Sequence, residues 1–443
     1  MPDIDSKKAS VKDSSKLEKI KGNEPKKAMN IQLNVVNRNA CFIEILKLSD
    51  DKNKFQKELN PELTINFNSQ AKTNKKWIMS GLNYSNLTYH LRFDGQINKF
   101  SKYKFKKIQY NIIKENPLII EENYFITIGE KGSIVKFVNR KKVQWNRNIY
   151  SKKEKKKIES ISLALSKDKL YAIDNLGKYY AIDVDTGKII WVKRHDALFN
   201  SQIKVYKGKI YAVDSNNMIN CFSTTDGKRI WKFETPSTFI KTNKKLSIIV
   251  TPSSVLFSNT AGDIAKVNIN NGELNWFIPT QNTLIQHETN FLETSDIVLF
   301  KKNIFFSNNF SKLYSLNLDS GILNWILNIN SNLRPILIDN LLFTISQEGY
   351  LIVIDSIEGK IIRSNYILDR FKAKQKRKLF MQGFLIASNK VYITTNLGYL
   401  IICSVSTGKV EKVSKISSSQ LSEPIISNNN LYILTNKSVV IFD

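Results

Sequence analysis

The stretch KLYAIDNLGKYYAIDVDTGKIIWVKR, residues 169–194, decides the fold. Two short alternating runs flank Asn175-Leu176-Gly177, and a third follows Asp185-Thr186-Gly187. Apolar and polar residues alternating over five or six positions mark strands with one face buried. Asn-x-Gly and Asp-x-Gly supply the positive φ that tight hairpins require. Three antiparallel strands in one short segment therefore form a meander, not a helix or a βαβ unit.

The pattern recurs on both sides. KIYAVDSNNMINCFSTTDGKRIWKF (209–233), SVLFSNTAGDIAKVNINNGELNWFI (254–278) and NIFFSNNFSKLYSLNLDSGILNWIL (303–327) follow it. Two less regular copies come next, at 341–365 and 390–414, and one precedes it, NYFITIGEKGSIVKFVNRKKVQWNR at 123–147. The turn glycines Gly187, Gly227, Gly272, Gly321, Gly359 and Gly408 are separated by 40, 45, 49, 38 and 49 residues. Trp191, Trp231, Trp276 and Trp325 each stand four residues after their glycine, and Trp145 holds that place in the first copy. Arg363 and Lys412 replace tryptophan in the last two. A further apolar run precedes each trio from the second copy on, as at Ile161–Leu165 and Phe384–Ala387.

Four antiparallel strands in 40–50 residues make a propeller blade, because a lone sheet with two apolar faces must stack on its neighbours. The fold expected is all-β, an eight-bladed β-propeller of four-stranded antiparallel blades. Seven copies reach residue 414, and the last segment, EPIISNNNLYILTNKSVVIFD, holds three strands. Its fourth is expected from residues 62–108, so that the two terminal segments close the ring by pairing. Seven blades with an extra hairpin is the alternative. Trp145, Trp191, Trp231, Trp276 and Trp325 are expected to wedge between blades. Residues 1–58, lysine-rich and without the repeat, are expected to be a disordered arm, and 59–443 the propeller.

Composition narrows the function. The formal net charge is +28, yet only ten of the 67 basic residues are arginine, the residue that supplies bidentate phosphate and base contacts. The lysines spread over solvent-facing positions, and no nucleic-acid partner is expected. Cys41, Cys221 and Cys403 form neither a close pair nor a metal spacing, and the last two occupy equivalent, small core positions. His90, His195 and His287 show no paired metal spacing and read as surface residues. Phosphate loops and nucleophile elbows are absent from the sequence. No catalytic residue, cofactor or metal is expected. Residues 1–30 are polar and contain no apolar run. The charged connections Ser151–Lys157 and Arg370–Lys378 read as solvated loops.

The unit AIDVDTGKIIW (181–191) resembles the pyrroloquinoline-quinone-like propeller repeat, and the resemblance spans about 115–443. Within that superfamily the chain is most similar to the outer-membrane protein assembly factor BamB family. The segment WIMSGLNYSNLTYH (77–90) before the first blade and the closing half-blade carry the likeness. The resemblance implies a periplasmic scaffold at the inner face of the outer membrane, without enzymatic activity. Its partners would be a BamA-like β-barrel insertase, other components of the BAM complex and unfolded outer-membrane proteins. It would be a monomer within a hetero-complex and at most peripheral to the membrane. The alternative is a ligand- or peptide-binding propeller outside that machinery, cytoplasmic or sensory. Quinone dehydrogenases share the repeat, but their adjacent cysteines and converging carboxylates are not found here.

The longest unpatterned connection is Pro279–Ser295. The family implies that this connection contributes to insertase binding through an acidic segment, which Glu293 and Asp296 match. They are the expected partners of a basic residue, against the alternative of a merely solvated loop. Pairing of an extended client strand with a blade edge is a second mode of binding.

Overall fold

The turn chemistry of each repeat sets its hairpins. Asp174 ends one strand, and its Oδ1 accepts the amides of Leu176 and Lys178 at 2.8 and 2.9 Å. Asp214, Asn259 and Asn308 do the same in the next three blades. At the following turn Asp183 takes both the amide and the hydroxyl of Thr186, and Gly187 adopts φ +66°. Each turn reverses the chain after about six residues, so strands return beside their predecessors.

The computed structural model describes residues 55–443 except 106–107, 109–116, 139–141, 237–243 and 281–292. These residues form eight four-stranded antiparallel sheets, an eight-bladed β-propeller. Blade 1 comprises Ile119–Ile120, Tyr124–Ile128, Ile134–Val138 and Lys142–Arg147. Blades 2 to 7 begin at Ile161, Lys204, Ile248, Val298, Ile336 and Met381, each running inner strand to outer strand in chain order. Blade 8 is built from Ile425–Ser427, Asn430–Leu434, Ser438–Phe442 and, as its outermost strand, Phe100–Lys104. Phe100 lies opposite Phe442 and Lys104 opposite Ser438, which closes the ring within the segment expected from the sequence.

Burial follows position in the blade. The middle strands are buried almost throughout, as at Asn430–Leu434 and Ser438–Phe442, whereas the outer strand Ile189–Arg194 is largely exposed. Between blades the repeat tryptophans carry the contact. The indole N–H of Trp145, Trp191, Trp231, Trp276 and Trp325 donates to the carbonyl of Val184, Thr224, Ile269, Leu318 and Ser356, at 2.8 to 3.2 Å. Each acceptor stands three residues before the turn glycine of the next blade. The same glycine lies against the ring: a Cβ on Gly272 would sit 2.5 Å from Trp231 Cε3, and Gly272 has φ +76°. Only glycine satisfies both demands. Burying such a ring removes about 150–250 Å² from water, worth roughly 4–6 kcal/mol at 25 cal/mol/Å².

Two connections differ from the solvated loops expected. Within Arg370–Lys378, Ala373–Lys376 forms one helical turn, and Phe371 is buried with its ring 5.1 Å from that of Tyr399. In Ser151–Lys157, Glu154 turns back to bind Lys178 at 2.8 Å. Two histidines also lie inside rather than at the surface. His195 Nε2 meets Asp214 Oδ2 at 2.8 Å and stacks on Phe199, and His90 accepts the Asn389 amide. Phe199 and the Asp214 carboxylate hold His195, and Phe67, the Ser69 carbonyl and the Asn389 amide hold His90, where spacing alone gave no sign. Cys221 and Cys403 are buried free thiols, pushed up to about 12 by burial. Cys41 and His287 lie outside the described residues.

Candidate functional site

The inner strands all run in one direction about the axis, so their ends define two mouths. At the C-terminal ends, residues 72–94 lie across the ring as a plug. Trp77 pairs with Ile120 of blade 1, Met79 with Ala164 of blade 2 and Leu91 with Ala387 of blade 7. Asn86 Nδ2 donates to the carbonyls of Ile248 and Ile297 in the approaches to blades 4 and 5, and Asn74 to Ile426 of blade 8. Asn86 itself stands at φ +54°, one of the positive values that asparagine tolerates. Lys204, at the head of blade 3, is fully buried. Its ammonium donates to Ser80 O, Asn83 O and Asn86 Oδ1 at 2.6, 2.8 and 2.7 Å. Burial pulls its pKa down to about 7, with Asp296 opposing the shift and Arg334 adding to it.

At the N-terminal ends the axis opens into a cavity of about 400 Å³, with Ser80 of the plug in its wall. The residues just before each inner strand supply the lining: Gln202, Lys245, Asp296, Arg334 and Glu423 come from blades 3, 4, 5, 6 and 8. Arg334, with a side chain only 5% exposed, binds Glu423 through Nη2 and faces Asp296 at 3.8 Å. Its Nε and Nη1 make no hydrogen bond among the described residues. Burial raises the Glu423 carboxyl, against the pull of Arg334. Phe380, Met381 and Phe384 give one apolar wall.

The sequence-predicted partner residues meet here. Glu293 and Asp296 both line the cavity, Glu293 accepting from Asn332 Nδ2 and Asp296 facing Arg334. Of the connection that was expected to carry them, residues 281–292 lie outside the described residues. Lys244, Lys245, Arg334 and Glu423 escaped sequence reasoning because they stand between repeats, where no period marks them. The five tryptophans lie at the blade interfaces, away from this cavity. Among the described residues no three His, Cys, Asp or Glu side chains converge closely enough to hold a metal ion. The cavity carboxylates instead face Arg334 and Asn332, so they do not fit the acidic calcium and quinone site of the quinone enzymes.

Eight four-stranded blades joined by tryptophan and glycine in register define a propeller of pyrroloquinoline-quinone-like repeats. The chain belongs to the family described as outer membrane protein assembly factor BamB, whose profile matches residues 130–365. Among solved structures, BamB from Moraxella catarrhalis is similar, with a TM-score of 0.63 and 12% identity, over 78% of this chain and 100% of that one. The quinohemoprotein alcohol dehydrogenase ADHIIG from Pseudomonas putida HK5 is also similar, with a TM-score of 0.60 and 12% identity, over 84% of this chain and 80% of that one. A europium-containing methanol dehydrogenase matches with a TM-score of 0.60 and 11% identity, over 88% of this chain and 91% of that one. No curated protein matches the chain.

These likenesses correct one expectation. The absence of enzymatic activity cannot be read from this architecture, because dehydrogenases share it. At such identity the likeness speaks for the fold alone, and activity is compatible with it. No helix among the described residues is long and apolar enough to cross a membrane.

Proposed function

We propose that this protein is a BamB-like interaction factor of the cell envelope. It works in the periplasm at the inner face of the outer membrane, binding a BamA-like insertase during assembly of β-barrel proteins. The observation that carries this reading is the family match over 130–365, supported by likeness along the full length of the Moraxella catarrhalis BamB chain. The propeller supplies a rigid frame, and its loops offer the binding groups. Glu293 and Asp296, at the open mouth, are the proposed acidic partners of a basic residue on the insertase. A charge pair at such a rim acts mainly on the association rate and on its dependence on salt. Co-purification from envelope extracts tests the reading: the insertase is expected with the wild-type chain and depleted with Glu293→Arg/Asp296→Arg. Capture of none by wild type would overturn it.

A second reading is a propeller that takes a ligand outside that machinery, which the axial cavity favours. Dye-linked alcohol oxidation after addition of pyrroloquinoline quinone and calcium would instead establish an enzyme.

A further inference from the structure

We propose that the axial cavity is a binding site for a small zwitterion bearing an apolar group, of the free amino-acid type. At about 400 Å³ it lies within the range of small-molecule sites. Its wall carries three cations, Lys244, Lys245 and Arg334, and three carboxylates, Glu293, Asp296 and Glu423. The balance of formal charge disfavours a bare anion or a bare cation, each of which would leave like charges facing one another. A molecule carrying both charges meets both sets. The apolar wall of Phe380, Met381 and Phe384 stands beside the charged groups and gives such a ligand a place for its side chain.

Arg334 is the anchor. Its guanidinium is more than nine-tenths buried, yet Nε and Nη1 lack hydrogen-bond partners among the described residues. A buried donor left unmade is costly, and native structures rarely leave one without a ligand, ion or water to meet it. A ligand carboxylate supplies the acceptor, while Asp296 and Glu293 receive the ammonium. The site uses residues from five blades, so it exists only in the closed ring.

Isothermal titration of the full-length protein tests this with L-leucine and L-phenylalanine. The controls are 4-methylpentanoate, which carries only the carboxylate, isopentylamine, which carries only the ammonium, and inorganic phosphate. The amino acids are expected to bind, and each single-charge analogue at least tenfold more weakly. Arg334→Met and, separately, Glu293→Gln are expected to weaken amino-acid binding at least tenfold, with the thermal transition recorded for each. Should Arg334→Met fail to fold, Glu293→Gln at the rim decides alone. No amino-acid binding at millimolar concentration, equal binding of a single-charge analogue, or unchanged affinity in a folded variant would each overturn the proposal.

Discussion

Arg363 Nη2 donates to the carbonyl of Val405 at 2.7 Å, and Val405 stands three residues before Gly408. That is the position reached by an indole N–H in the five earlier blade pairs. Arginine thus takes the place of tryptophan at the blade 6 to blade 7 interface. Its other nitrogen reaches Ser406 O and, at 2.9 Å, Leu63 O of the N-terminal segment. The side chain is fully buried, and burial lowers its pKa to about 10.

Replacing Arg363 with alanine leaves the Val405 and Leu63 carbonyls without its donors, although Ser406 O keeps the Ile65 amide, and opens a cavity. An unmade buried acceptor costs about 1–3 kcal/mol, and the lost packing adds to it. The expected loss is about 3–5 kcal/mol in denaturant unfolding. Arg363→Trp should recover only part of it, because Leu63 O keeps no donor.

Trp231→Phe keeps one six-membered ring in the wedge but loses the pyrrole half of the indole and, with it, the hydrogen bond to Ile269 at 3.2 Å. A loss of about 1–3 kcal/mol is expected, from the hydrogen bond and the lost packing together, against about 3–5 kcal/mol for Trp231→Ala. Equal losses in the two variants would mean that the pyrrole half of the indole with its hydrogen bond, not the six-membered ring, holds the blades.

Gly272→Ala meets two obstacles at once, a positive φ and the Trp231 ring 2.5 Å from the new Cβ. The variant is expected to lose about 1–3 kcal/mol of stability by the same assay. The same substitution at Gly208, whose nearest neighbour would stand at 3.8 Å, should show only the backbone part of that loss.

Lys204 predicts a dependence on pH. Its pKa is about 7 in the folded chain and ordinary, near 10.5, when unfolded. Between these values the unfolded chain binds one more proton, so stability rises with pH across that window and is flat below it. The wild-type curve, less that of Lys204→Met, should slope upward by up to about 1.4 kcal/mol per pH unit between pH 7 and 10. A flat difference would show that Lys204 titrates normally.

Much of the architecture was legible because it repeats. Gly187 to Gly408 and Trp145 to Trp325 keep their register, and three unpaired strands at the chain's end required a partner from the other end. The Arg363 interface was hidden, because a guanidinium replaced an indole and only the shared carbonyl reveals the equivalence. The plug was hidden too: Trp77, Met79 and Leu91 make isolated bridges to different blades and Asn86 reaches two more by side-chain hydrogen bonds, and such contacts leave no period. Glu293 and Asp296 were singled out by resemblance, but the groups beside them, Arg334 and Glu423, belong to different blades and meet only around the axis.

The most direct test of the proposed role is titration of the purified full-length chain against the soluble periplasmic part of the BamA-like insertase from the same cell. Saturable binding is predicted, weakening as salt rises and weakening further in Glu293→Arg/Asp296→Arg protein of unchanged thermal transition. No binding by the wild-type chain, or binding indifferent to both salt and the two substitutions, would contradict the account.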